Sequence, residues 1–232
     1  MKVGIMQPYF LPYIGYFQLI ASVDQFIVYD KIKYTKKGWI NRNRMLLNGT
    51  DALFSLPLRK ASDSLDIVAR ELAADFDRAK MLSQFSHAYR RAPYFAQTIA
   101  WLEHIVEYQE SNLFRYIHHS LVQTCKHLSI TTEIRISSSF LIDPALKGQD
   151  KVLALCHASN ADTYINAIGG TELYAREEFL AHDIELKFLH PKPFEYPQFG
   201  AAFVPWLSIV DLLMFNPLDT VRKRIASGYE LV

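Results

Sequence analysis

The chain has 232 residues, 50% of them hydrophobic and 21% charged, with 25 Lys+Arg against 24 Asp+Glu and a formal net charge of +1. That length supplies a core for one domain or a domain with an insertion, and the charge balance excludes a global electrostatic footprint for nucleic acid or an anionic membrane. The two cysteines, Cys125 and Cys156, have no CxxC spacing and no disulfide framework around them, which points to a reducing compartment and hence to the cytoplasm.

Lys2, the apolar run after it and the small pair Ala21-Ser22 imitate a secretory signal. Gln7, Pro8 and Pro12 interrupt the run where a signal would be an unbroken apolar helix, and no segment reaches the roughly 20 apolar residues of a membrane span. No membrane insertion is expected. Lys2 to Met6 reads instead as a buried strand, Pro12 as the opening of a helix to about Ser22, and Asp24 to Asp30 as a second strand. A strand, a helix and a strand predict a right-handed βαβ unit with parallel strands. Met45 to Leu58 carries Asn48-Gly49 between apolar runs, which predicts a hairpin.

Leu72 to about Ser129 is helical in pattern, broken at Ala92 to Phe95, with Leu113, Ile117 and Leu121 at helical spacing; three helices are expected. Strand and helix then alternate: strands at Thr131 to Ile136, Thr163 to Ile168 and Ile184 to Leu189, helices at Lys151 to Ser159 and Leu173 to His182, and a last helix at Trp206 to Phe215. The expected architecture is a single α/β domain, with a Rossmann-like parallel sheet of about five strands and an inserted β-hairpin and helical region at about 45–110.

In an open parallel sheet, ligands bind outside the carboxyl ends of the strands, near the point where strand order reverses. The predicted exits are Gln7 to Phe10, Tyr29-Asp30 with Lys33 to Arg44, Ser137 to Ser139, Gly169 to Glu172, and His190 to Lys192. The richest stretch is "YTKKGWINRNR". Its Lys36, Lys37 and Arg42 suit an anionic substrate, with Asn41, Asn43 and Trp39 beside them; a solvated turn with surface charge meets the same spacing. Gln7, Tyr9 and Tyr13 are the candidate opposite wall, and Asp30 is the candidate base. Gly170 and Thr171 fit an anion at a helix start or a plain capped turn, and Ser138 among three serines carries the same ambiguity. Gln7, Tyr13, Asp30, Lys36, Arg42 and Gly170 are expected on one cleft. The histidines show no zinc-ligand spacing, no metal is expected, and both cysteines fall among apolar helical positions. No GxSxG elbow, P-loop or GxGxxG occurs.

Several stretches carry a resemblance: "MQPYFLPYIGYFQLI", Asp24, Tyr29-Asp30, "KKGWINRNR", "APYF", "LSITTEIRISS" and "FVPWLSIVDLLMFN". Together they span nearly the whole chain, which resembles the WbqC-like family of bacterial surface-polysaccharide, or O-antigen, gene sets. The resemblance implies transfer of glycine or another acyl group onto a sugar or sugar nucleotide, with no established catalytic residues. A weaker similarity is to HxGH nucleotidylyltransferases such as pantothenate synthetase, whose motif register reads Tyr13-Ile14-Gly15-Tyr16 here. Gly15 then becomes a place for a ligand's close approach, with Tyr13 as a catalytic candidate and Tyr16 as a binding one. Both motif histidines are tyrosines, which bring no cation to a departing pyrophosphate. An acyl or aminoacyl transferase acting on a sugar nucleotide is therefore the leading expectation. A non-catalytic sugar-nucleotide-binding protein and an ATP-dependent adenylating ligase are the alternatives, with cofactor and oligomeric state left open.

Overall fold

A computed structural model describes residues 1–200 and 202–232. Its first strand, β1 (Lys2–Met6), buries Val3, Gly4 and Ile5 in succession, as a central strand covered on both faces must. The helix α1 (Ile14–Ala21) leads to β2 (Gln25–Val28), which is buried throughout and parallel to β1, with Val3 opposite Gln25.

The hairpin is β3 (Arg42–Leu47) and β4 (Thr50–Ser55), closed by Asn48 and Gly49 at φ of 51° and 79°. Two successive positive φ values match the right-handed twist of the flanking strands. Three helices follow: α2 (Arg78–Tyr89), α3 (Phe95–Val106) and α4 (Leu113–His127). Asp77 caps α2 by accepting the Lys80 N–H, and Asn112 caps α4 by accepting that of Arg115.

Alternation resumes with β5 (Glu133–Ile136), α5 (Gly148–Ala158), β6 (Thr163–Ala167), α6 (Arg176–Ala181) and β7 (Glu185–Pro191). The chain closes with α7 (Ile209–Phe215), α8 (Leu218–Ser227) and β8 (Tyr229–Leu231). The sheet runs β5-β2-β1-β6-β7-β8, parallel except for β8, which pairs antiparallel with β7. It therefore has six strands rather than about five, and strand order reverses between β1 and β6. The last predicted helix starts later than Trp206, because Ser208 caps it by accepting the Val210 N–H at 3.3 Å.

One face of the sheet carries α1, the hairpin, the three inserted helices, α7 and α8 in a single apolar cluster. The other packs against α5 and α6 through Val152, Leu155 and Phe179. Among the described residues no helix is long and apolar enough to cross a membrane.

The loop after β1 is pinned by distant parts of the chain. Leu11 has φ of 45°, and its carbonyl accepts Asn43 Nδ2 at 2.9 Å and Ser208 Oγ at 2.7 Å. Phe10 N–H donates to the Ile40 carbonyl and Ile209 N–H to that of Pro12, both at 2.9 Å. The opening aromatic stretch and "WINRNR" thus form one interlocked wall. Asn43→Ala removes a buried donor while Ser208 stays, so we expect a loss of about 1–2 kcal/mol. At about 2–4 °C per kcal/mol, thermal denaturation should show a melting temperature lower by a few degrees.

Candidate functional site

A crevice of about 830 Å³ opens where the strand order reverses, outside the carboxyl ends of β1 and β6. Gln7 and Tyr9 from the exit of β1 form one side, and Asn166, Gly169 and Gly170 from the exit of β6 form the other. Four lysines border it: Lys31 and Lys33 after β2, and Lys147 and Lys151 at the start of α5. Asp66 is the one carboxylate among its described lining residues. No side chain caps the first turn of α5, so the helix end adds amide N–H groups to the lysine charge. Lys151 Nζ donates to the Lys31 carbonyl at 3.1 Å and lies 5.3 Å from the Tyr29 ring centroid. Lysines therefore outnumber carboxylates four to one among the described residues lining the crevice.

Buried polar contacts hold its walls. Tyr16 donates its hydroxyl to the Gln7 carbonyl at 2.7 Å, fixing the backbone at the exit of β1. Asn166 is buried, and its Oδ1 accepts the Ala167 N–H at 2.8 Å. A β-carbon on Gly170 would collide with the Asn166 amide, so the glycine makes room for a crevice residue. Gly15 makes room in the same way for the ring of Tyr13, so the close approach expected there from a ligand is made by the protein's own phenol. Burial raises the pKa of Tyr9, Tyr13, Tyr16 and Tyr29, which keeps all four phenols neutral near pH 7.

Gln7, Tyr9 and Gly170 meet on the crevice as the exit rule anticipates, whereas Tyr13, Asp30, Lys36 and Arg42 do not line it. Arg42 donates through Nε to the Gly38 carbonyl at 2.9 Å and through a terminal nitrogen to that of Lys37 at 2.5 Å, stapling its own turn. Asn41 accepts the Tyr34 hydroxyl and donates to the Leu56 carbonyl, both at 2.8 Å. Asn43 holds Leu11, and Lys36, Lys37 and Thr171 are exposed outside the crevice. Asp30 is buried, and its Oδ1 accepts Ser137 Oγ at 2.7 Å and the Ser138 N–H at 3.0 Å, clamping the exit of β2 to that of β5.

Asp66, the carboxylate that faces the crevice, comes from the segment joining the hairpin to α2. That segment is held by an antiparallel bridge between Lys33 and Asp66 and by Tyr34 N–H on the Leu65 carbonyl at 3.1 Å. Neither thiol offers a nucleophile: burial pushes Cys125 and Cys156 up to about 12.

Two smaller cavities continue past Tyr9. The first, about 200 Å³, is bounded by Tyr9, Tyr13, Trp39, Arg44 and Trp206; the second, about 250 Å³, shares Tyr13 and Trp206 with it.

A family profile described as "WbqC-like protein family" matches residues 7–223. The chain belongs to that family. It is also 30% identical over 218 residues to an uncharacterized protein of Mycobacterium tuberculosis, Rv1507c, covering 93% of each chain. No solved structure gives a significant match. The match to the WbqC-like profile begins at Gln7, the first exit residue of the crevice, and runs into α8. It therefore takes in Asp66, Lys147, Lys151, Asn166 and the three tyrosines of the adjoining cavities, Tyr9, Tyr13 and Tyr196.

Proposed function

We propose that this WbqC-like protein is a transferase that grips a sugar nucleotide by its diphosphate and moves an acyl or aminoacyl group, such as glycyl, onto an amine of the sugar. The place for this reaction is the cytoplasmic assembly of a surface polysaccharide such as O-antigen. The reading is carried by one observation: four lysines, an uncapped helix start and the Gly169-Gly170 turn surround a single crevice at the strand reversal.

In the transfer, the amine nitrogen bonds to the acyl carbon while the bond from that carbon to the donor's sulfur or oxygen breaks. The proton lost by nitrogen passes to Asp66, and the leaving group takes up a proton in its turn. The donor arrives already activated. Tyr13 and Tyr16 are neutral phenols, and Tyr16 is engaged with the Gln7 carbonyl, so neither supplies positive charge to a departing pyrophosphate.

Mass spectrometry of UDP- and dTDP-linked amino sugars, incubated with the protein and glycyl or acetyl thioesters or esters, tests this reading. We expect an added acyl mass. Asp66→Asn should slow its appearance by about 100-fold or more while UDP affinity is kept or tightened, because a negative charge leaves the cationic crevice. Tight nucleotide binding with no mass change would make the protein a sugar-nucleotide-binding module, and glycine-dependent pyrophosphate release from ATP would make it an adenylating ligase.

A further inference from the structure

The aromatic cavities beyond Tyr9 have no part in gripping a diphosphate. Tyr9 lines both the crevice and the 200 Å³ cavity, and Tyr13 with Trp206 lines both smaller cavities, so the three spaces are consecutive. Their charge changes along the way. The crevice is cationic, whereas the 250 Å³ cavity carries Lys192 and Glu195, one charge of each sign.

We infer that the corner formed by Tyr13 and Trp206 seats an uncharged pyranose ring, the sugar end of a ligand whose diphosphate lies in the crevice. The direction of the ligand rests on the anion reading of the crevice; the sugar seat rests on four observations about the aromatic residues.

Trp206 is 60% exposed, an unusual position for an indole unless something covers it. Its φ of 61° is rare for a bulky side chain, and such strain gathers at ligand clamps. The conformation is held from both sides: an Arg44 terminal nitrogen donates to the Trp206 carbonyl at 3.3 Å, and Ser208 N–H donates to the Arg44 carbonyl at 2.9 Å. The neighbouring indole is already occupied, since the guanidinium groups of Arg42 and Arg44 lie 5.7 and 5.6 Å from the Trp39 ring centroid. Trp206 is therefore the free platform.

Ring geometry selects the occupant. Tyr13 meets Trp206 at 67° with centroids 6.0 Å apart, which makes a corner rather than a slot between parallel planes. A nucleobase is flat on both faces and gains from parallel stacking. A pyranose presents C–H groups on one face and hydroxyls around its edge, so it lies on the indole while its hydroxyls reach the Tyr9 and Tyr13 phenols. Both phenols keep their protons and can donate.

Two titrations test the seat. In the first, calorimetry compares UDP with UDP-N-acetylglucosamine. We expect the sugar nucleotide to bind about tenfold tighter, Trp206→Ala to erase that advantage with UDP affinity unchanged, and Trp206→Phe, which keeps a ring on the same backbone, to restore part of it. In the second, a panel of methyl pyranosides of gluco, galacto and 6-deoxy configuration is added while indole fluorescence is read. At least one should quench the protein and leave Trp206→Ala unaffected. Weaker binding of UDP itself by Trp206→Ala would place the base in the corner and overturn the inference. Equal affinities for UDP and UDP-N-acetylglucosamine, with no response to any glycoside, would overturn it as well. Failure of UDP to bind, with glycoside quenching through Trp206 intact, would remove the diphosphate reading of the crevice and leave the sugar seat standing.

Discussion

Replacing Lys147 and Lys151 together by alanine is expected to weaken UDP binding by roughly 100-fold or more, because a hydrogen bond to a charged group contributes about 1.5–3 kcal/mol and each 1.4 kcal/mol is a factor of ten. Both residues border the crevice from the start of α5, which no side chain caps and where Gly148 also lines it. In the proposed function they act together with the helix end on one diphosphate. Their structural contribution is small: Lys147 is exposed, and the Lys151 amine makes one exposed hydrogen bond, to the Lys31 carbonyl. The melting temperature should therefore stay within a few degrees. Because the crevice is open to solvent, salt screens the attraction, and raising ionic strength should cost the unaltered protein more affinity than the double variant. Calorimetric titration with UDP at low and high salt reads both effects. Equal affinity in the two proteins would put the nucleotide elsewhere.

The central sheet could be read in advance because its signals are local. Buried apolar strands, prolines ahead of α1 and the Asn48-Gly49 turn each act within a few residues. The two elements after α7 could not. Only Val221 and Ile225 are buried in α8, and β8 has three residues, too few for alternation to show.

The site divides along the same line. The exit rule led to the edge of the sheet where the crevice opens, and to Gln7, Tyr9 and Gly170 among the residues that line it. Charge density then pointed to "KKGWINRNR", but Arg42 and Asn43 lie within β3, and their polar groups meet backbone carbonyls that no sequence pattern reveals. Lys147 and Lys151 were hidden by a boundary: the helix expected from Lys151 begins at Gly148, which moves its uncapped end to the crevice. Asp66 is brought there by an isolated bridge to Lys33, a contact between segments with no periodicity.

The other large effect is expected at Asp211, which is fully buried in α7 and accepts three hydrogen bonds. Tyr89 donates its hydroxyl to Oδ1 at 2.9 Å, and Tyr196 and Gln198 donate to Oδ2 at 2.6 and 2.7 Å. Tyr89 in turn accepts the Leu46 N–H at 2.8 Å, so one carboxylate joins β3, α2, α7 and the loop that leads to Trp206. Asp211→Ala removes the shared acceptor of three donors: the buried Tyr89 hydroxyl and the half-buried Tyr196 hydroxyl lose their partner, while Gln198 Nε2 keeps the Val204 carbonyl at 3.3 Å, for a loss of about 3–5 kcal/mol. A chain of this size should then melt roughly 10 °C lower, at about 2–4 °C per kcal/mol. Burial raises the Asp211 pKa above its ordinary 3.8, and the three donors oppose that rise without cancelling it. The folded state therefore holds this proton more tightly than the unfolded state. Its contribution to stability is fully present below pH 3.8 and is lost as pH climbs through the raised value. Asp211→Asn abolishes that titration, so denaturant melts between pH 4 and 8 should show the stability advantage of aspartate over asparagine shrinking as pH rises. An advantage that grew with pH would mean that the three donors overcome burial and hold the carboxyl below its ordinary value. Tyr196 and Gln198 anchor the loop through this carboxylate, so Asp211→Ala should also release Trp206 and abolish the fluorescence response to methyl pyranosides at temperatures where the sheet remains folded.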